Sequence, residues 1–281
     1  LLVRSYSVLI QNTKDGSALK LTPGYDATLE PDDSTWKLLS LREPRQGTLV
    51  DSELEVGAEL NQARLGEVVN AIPNIQIANV QRIPEALAAK LKAGNVDITT
   101  LESSSSLASR GFYPIKPDEQ SGQLFAAQGE LLVNLSAGIQ FRLLFGGIGQ
   151  SDMTGADTLN RYLLVMPSVN QAAFPEPELE SLPGDDAELS ENDRRIAIDR
   201  ITKANEKKQA DYQQRLEGVQ KIVDQLRQKY GQWYYLIEED MARKLRLPRN
   251  EFSQLSKKAL EEGFGIEAFR MLQEAGLGSL D

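Results

Sequence analysis

Polar and apolar residues alternate over several short stretches of the chain, a period of two that marks strands. Residues 5–12 (SYSVLIQN) read this way, followed by the turn Thr13-Lys14-Asp15-Gly16 and by an alternating partner at 18–22, which predicts a hairpin. Residues 36–41 (WKLLSL) predict a third strand, stopped by Arg42-Glu43-Pro44. The period then lengthens. Leu54, Ala58, Leu65, Val68, Val69 and Ile72 lie at helical spacing, predicting an amphipathic helix over 53–72, weakened by Gly57 and Gly66 and ended by Pro73-Asn74.

Residues 75–80 (IQIANV) predict a strand, 84–93 a short helix with Pro84 in its first turn, and 106–110 a helical turn closed by Gly111. A strongly β-type block follows. Strands are predicted at 123–127, 130–136, 139–145 and 160–167, with Ala137-Gly138 as a tight turn and 146–159 as a polar, glycine-bearing loop. Residues 175–193 hold Pro175, Pro177 and Pro183 and are rich in acids, which predicts an extended, solvated linker.

Beyond it, residues 192–230 contain no proline and a single glycine, Gly218, so one long charged helix is predicted, with Asn192 as its N-cap. Asp199/Lys203, Asp211/Arg215 and Glu217/Lys221 add acid-before-base pairs at four-residue spacing. Its second half carries a seam, Tyr212, Leu216, Val219, Val223, Leu226 and Tyr230, at 4-3-4-3-4 spacing. The first half has only Ile198 and Ile201. The expectation is a docked second half and a first half projecting into solvent. Residues 232–238 (QWYYLIE) predict an aromatic strand, followed by helices at 239–245, 249–263 and 266–275. The pattern as a whole is α+β: mostly antiparallel sheets with flanking helices and one long helix. A division into 1–115 and 116–281 is expected.

Composition narrows the chemistry. The 281 residues carry a net charge of −10, with no cysteine and no histidine. Serine–histidine triads, HExxH zinc sites and thiol nucleophiles are thereby excluded. No long basic stripe offsets the acidity, so nucleic acid is not an expected partner. No stretch approaches the roughly 20 apolar residues of a membrane span. No cofactor is implied. Carboxylate-only hydrolysis and oxygen-ligated cation binding stay open.

Four local features invite a functional reading. Gly146-Gly147-Ile148-Gly149 follows a strand but lacks the helix a phosphate loop requires. Asp152, Asp157, Asp185 and Asp186 lack EF-hand spacing and read as solvated acids. Glu238-Glu239-Asp240 sits beside aromatic residues, where a carboxyl could be buried, but also where acids favour a helix start. Trp233 and Tyr235 share one face of their strand and could form a stacking platform for a sugar, with Tyr234 on the other face.

Motifs in order across most of the chain resemble the domain-of-unknown-function 4340 family of envelope-associated bacterial proteins. They are Trp36-Lys37-Leu38, residues 75–80, Arg110-Gly111-Phe112-Tyr113-Pro114, Ala137-Gly138-Ile139-Gln140-Phe141 to Phe145-Gly146, Asn160-Arg161-Tyr162-Leu163-Leu164-Val165 and Gln232-Trp233-Tyr234-Tyr235. The resemblance implies a non-enzymatic periplasmic or envelope protein, tethered by a segment absent from this chain and linked to a transport or motility assembly. It transfers no catalytic residue. The expected function is accessory protein–protein interaction, with the helix seam, Trp233 and Tyr235 as contact residues and homo-oligomer formation through the long helix as one route. A glycan or small-ligand binding module and a carboxylate-based hydrolase are the alternatives.

Overall fold

The structure is a computed structural model that describes residues 1–13, 16–92, 101–115, 122–149, 159–183 and 190–261. The chain opens with a β-meander: β1 (Leu2–Thr13), β2 (Gly16–Asp32), β3 (Thr35–Arg45) and β4 (Thr48–Ser52). Next come β5 (Ala58–Leu60), α1 (Gln62–Ala71), β6 (Asn79–Arg82), α2 (Glu85–Lys92) and α3 (Leu101–Ala108). Four strands follow: β7 (Phe112–Ile115), β8 (Gln123–Ala126), β9 (Glu130–Asn134) and β10 (Ile139–Gly149). The remainder is β11 (Asn160–Val169), α4 (Glu191–Tyr230), β12 (Trp233–Glu238), α5 (Glu239–Leu245), α6 (Arg249–Phe252), β13 (Ser253–Leu255) and α7 (Lys257–Glu261).

Nine strands form one sheet in the order β4-β3-β2-β1-β9-β10-β11-β12-β6, and β13-β5 and β7-β8 form two small ribbons. Pairing is antiparallel, and the fold is α+β. Two compact units result. Unit 1 comprises Leu1–Val133, Arg142–Val165 and Gln232–Asp281; unit 2 comprises Asn134–Phe141 and Met166–Gly231. Neither unit is a continuous stretch, so a single cut near residue 115 does not describe them.

In unit 1 the sheet is covered on both faces. On one, Leu65, Val68, Ala242, Leu245 and Phe252 from the helices enclose Val3, Ala27, Leu131, Phe145 and Ile237 from the strands. On the other, Tyr234 is fully buried, stacked on Phe112 with ring centroids 6.0 Å apart. Arg110 lies over Tyr234, 4.5 Å from its centroid, while its Nη1 donates to Ser106 O (2.8 Å) and its Nη2 to Gln81 Oε1 (2.9 Å). This guanidinium thus anchors α3 to the sheet.

Several sequence expectations change. Residues 58–60 do not continue a helix. They pair with β13, Ser253 opposite Leu60 and Leu255 opposite Ala58. The helix begins only after Asn61, whose side-chain oxygen accepts from Arg64 N at 3.1 Å. The same long-range pairing breaks the predicted 249–263 helix into α6, β13 and α7. Residues 75–78 lie outside regular structure, and the strand there is β6. The glycines at 146–149 end strand β10 rather than opening a loop. A side chain at Gly149 would collide with Tyr162 and Leu236, so close packing explains that glycine in a strand. The predicted 266–275 helix falls outside the described residues.

Unit 2 is built around α4, 40 residues or about 60 Å long. Its cap is Ser190, not Asn192; the Ser190 hydroxyl accepts from Asp193 N at 3.2 Å. Val223 is fully enclosed by its own chain. Tyr230 meets Phe141 edge-on at 6.2 Å, Arg215 lies over Phe174, and Arg227 Nε donates to Pro167 O at 3.1 Å. The second half is docked, as its seam predicts. The first half does not project freely. Ile201 is buried, Asn205 exchanges two hydrogen bonds with the Glu180 backbone (2.9 and 2.8 Å), and Lys208 reaches Glu180 Oε1 at 3.1 Å. The acidic linker supplies the partners that the polar half lacked in the sequence pattern.

Candidate ligand-binding pocket

Antiparallel pairing of β1 with β9 sets Arg4 directly opposite Glu130, and the β9–β10 hairpin brings Arg142 to the same carboxylate. Glu130 is buried and accepts from Arg4 Nη1 at 3.2 Å and from Arg142 Nε. A second ion cluster forms where β12 runs into α5. Glu239, in the first turn of that helix, accepts from Arg161 Nε (2.5 Å) and Nη2 (3.0 Å) and from Arg246 Nη2 (2.7 Å). Arg161 also donates to Gly146 O at 2.7 Å. Buried charge is tolerated here because each ion has several partners.

Between these clusters lies a cavity of about 530 Å³, in the size range of small-molecule sites. Strands β1, β2 and β9 supply one wall; the end of α5 and the residues just after it, Arg243 to Pro248, supply the other. The pairing of β1 with β2 slips between Ser5 and Tyr6, leaving Gly24 as the extra residue of a bulge. A Cβ on Gly24 would lie 2.6 Å from Ser5 O, so only glycine allows this approach. The bulge bends the strands at the cavity wall.

The facing segment is pinned from three directions. Arg64 donates to the carbonyls of Lys244 (2.9 Å), Arg243 (2.9 Å) and Arg246 (2.6 Å), capping the end of α5. Its Nε pairs with Glu251 at 2.7 Å. The Tyr25 hydroxyl donates to Leu247 O at 2.5 Å. Burial raises the Tyr25 phenol above its ordinary pKa, so it remains a neutral donor. The cavity is therefore preformed between rigid elements.

Its polar lining is rich in arginine: Arg4, Arg243 and Arg246 against Glu130 and Glu251. Both carboxylates are already engaged, Glu130 by Arg142 and Glu251 by Arg64. Two buried guanidinium atoms, Arg4 Nε and Arg246 Nε, have no hydrogen-bond acceptor. Burial, and then the neighbouring Arg161, pull the Arg246 pKa below its ordinary value, with Glu239 opposing.

Asp26 lies 4.0 Å from Arg4 Nε. Burial raises its carboxyl pKa above the ordinary 3.8, outweighing Arg4 and Arg42, with Glu130 adding to the rise. A carboxyl whose folded-state pKa is raised favours folding when protonated and costs stability as pH rises through that value. Asp26→Asn is therefore expected to raise the thermal midpoint at pH 7 and to lose this advantage below pH 3.8. Melting curves across that range check it; an unchanged gap at all pH values would contradict it.

None of the residues nominated from the sequence lines this cavity. Tyr212, Leu216, Val219, Leu226 and Tyr230 sit half-buried beside Val223 on the covered face of α4. Trp233 and Tyr235 share a face of β12 as expected, but Tyr235 packs onto the main core, so the pair is not an open platform. Glu239 is held by two arginines, while Asp240 and Glu238 lead the helix. The four aspartates at 152, 157, 185 and 186 lie outside the described residues. Among the described residues no group of acids could hold a metal ion, and no helix is long and apolar enough to cross a membrane.

No family model matches the chain, and no curated protein or solved structure matches it. The motif resemblance therefore assigns no residue a role.

Proposed function

We propose that the chain works by binding rather than catalysis, and that the cavity between the β1–β2 bulge and the Arg243–Pro248 segment is its ligand site. The supporting observation is a preformed, apolar-floored cavity into which arginines converge from two separate elements. Binding is favoured over hydrolysis because Glu130 and Glu251 are both committed to arginine, leaving the lining no carboxylate available as base or nucleophile.

The test is calorimetric titration of the full chain with a panel of small carboxylates, phosphates, neutral apolar molecules and oligosaccharides. Thr22→Trp, at an exposed lining position of β2, is expected to abolish binding of the ligand that saturates the wild type. Binding that survives Thr22→Trp but is lost in Trp233→Ala would move the site to the β12 face and overturn the proposal.

A further inference from the structure

We propose that the ligand is a small amphiphilic monocarboxylate, its acid group held by Arg246 and Arg4 and its apolar body lying on the cavity floor. This rests on the pocket reading above and adds the ligand's chemistry to it.

Charge is the first argument. Three arginines against two glutamates leave the lining with one net positive charge, in a chain whose overall charge is −10. A single negative charge balances that lining, whereas a dianion leaves one charge uncompensated.

Hydrogen-bonding geometry is the second. Arg246 spends Nη2 on Glu239 and Nη1 on Gln128, and Arg4 spends Nη1 on Glu130. In each the Nε–H makes no hydrogen bond, although buried polar groups are ordinarily satisfied; Asp26, 4.0 Å from Arg4 Nε, is an ion-pair neighbour beyond hydrogen-bond reach. The Nε edge of a guanidinium is a standard seat for one oxygen of a carboxylate, and because both Nε atoms are sealed from solvent, each side chain must turn to offer that edge to the cavity. The Arg4 side chain is 41% exposed, so a modest torsional change presents its Nε–H to the cavity. Among the described residues the exposed Arg243 side chain is tied only to exposed Asp240, three residues away, a surface pair weak enough to exchange for an incoming anion.

The floor is the third. Val3, Leu131, Phe145, Leu245 and Leu247 lie beneath the same space as members of the buried core, so the floor sets no polar side-chain group against a hydrocarbon body behind the acid.

Octanoate, octan-1-ol and inorganic phosphate titrated into the full chain test this. Octanoate is expected to bind at least tenfold more tightly than either of the others. Arg246→Met and Arg4→Met are each expected to weaken octanoate at least tenfold. Both variants should fold, because Arg161 still holds Glu239 and Arg142 still holds Glu130. Phosphate binding as tightly as octanoate would overturn the monocarboxylate assignment. Octanol matching octanoate would overturn the arginine role while leaving the cavity as a ligand site. If none of the three binds and the wider panel also fails, the pocket reading falls with it.

Discussion

Replacing Glu239 by alanine is expected to cost about 3–5 kcal/mol of folding stability, because it strips a buried arginine of its counter-ion. The Arg161 side chain is 7% exposed and gives Glu239 two of its donors. Without the carboxylate, a guanidinium charge stays in the sheet interior with Gly146 O as its remaining acceptor among the described residues. Arg246 loses the same partner, so the cavity wall loosens too. At about 2–4 °C per kcal/mol for a domain of this size, the melting temperature should fall by roughly 10 °C. Replacing the pair together, Arg161→Met with Glu239→Leu, should recover most of the loss, since an apolar pair of similar volume leaves no orphaned charge. A single variant costing under about 1 kcal/mol would show that Arg161 finds another partner.

Gly111→Ala is expected to be comparably severe, at about 4 kcal/mol, for a backbone reason. Gly111 closes α3 with φ +77°, a region that side-chain-bearing residues enter only with strain. An added Cβ would also overlap Gly147 N. That amide donates to Arg110 O at 2.9 Å, and Gly111 O accepts from Ala127 N at 2.8 Å. The strand end cannot withdraw without breaking bonds that hold α3 to the sheet. Gly47→Ala separates the two contributions: its φ is +84°, but no atom lies within 4 Å of the added Cβ. It should cost only the conformational strain, about 1–2 kcal/mol. Equal losses in the two variants, read from denaturant unfolding, would remove the steric part of the argument.

Local signals carried much of the fold. The seam from Tyr212 to Tyr230, the helix-closing Gly111 and the alternation around Tyr234 were legible because each depends on neighbours within a few residues. The errors share a different cause. Residues 58–60 become strand because of Ser253 to Leu255, almost two hundred positions away, and that pairing outweighs an apparent helical period. Gly149 lies in a strand because Tyr162 and Leu236 leave no room for a side chain, which no local window reveals. Ile201 is buried although its half of the helix carries little apolar pattern, and the linker bonds to Asn205 and Lys208 of that half are equally long-range.

The pocket was invisible for the same reason. Arg4 and Glu130 are separated by 126 residues, and Arg246 lies in a third region. Only the β1–β9 register and the docking of α5 bring them together. Each reads alone as an ordinary strand or helix charge. The nearest local signal is Pro248, which disfavours helix at Leu247 and so marks where α5 ends, without pointing to a pocket.

The most direct test of the central claim is a methyl NMR titration of the full chain, labelled at leucine and valine, with octanoate. The account predicts saturable shifts, sharing one dissociation constant, at Val3, Leu131, Leu245 and Leu247, with Val219, Val223 and Leu226 of α4 unmoved. Shifts confined to α4 or to the β12 face, or pocket methyls unmoved while calorimetry reports binding, would contradict it.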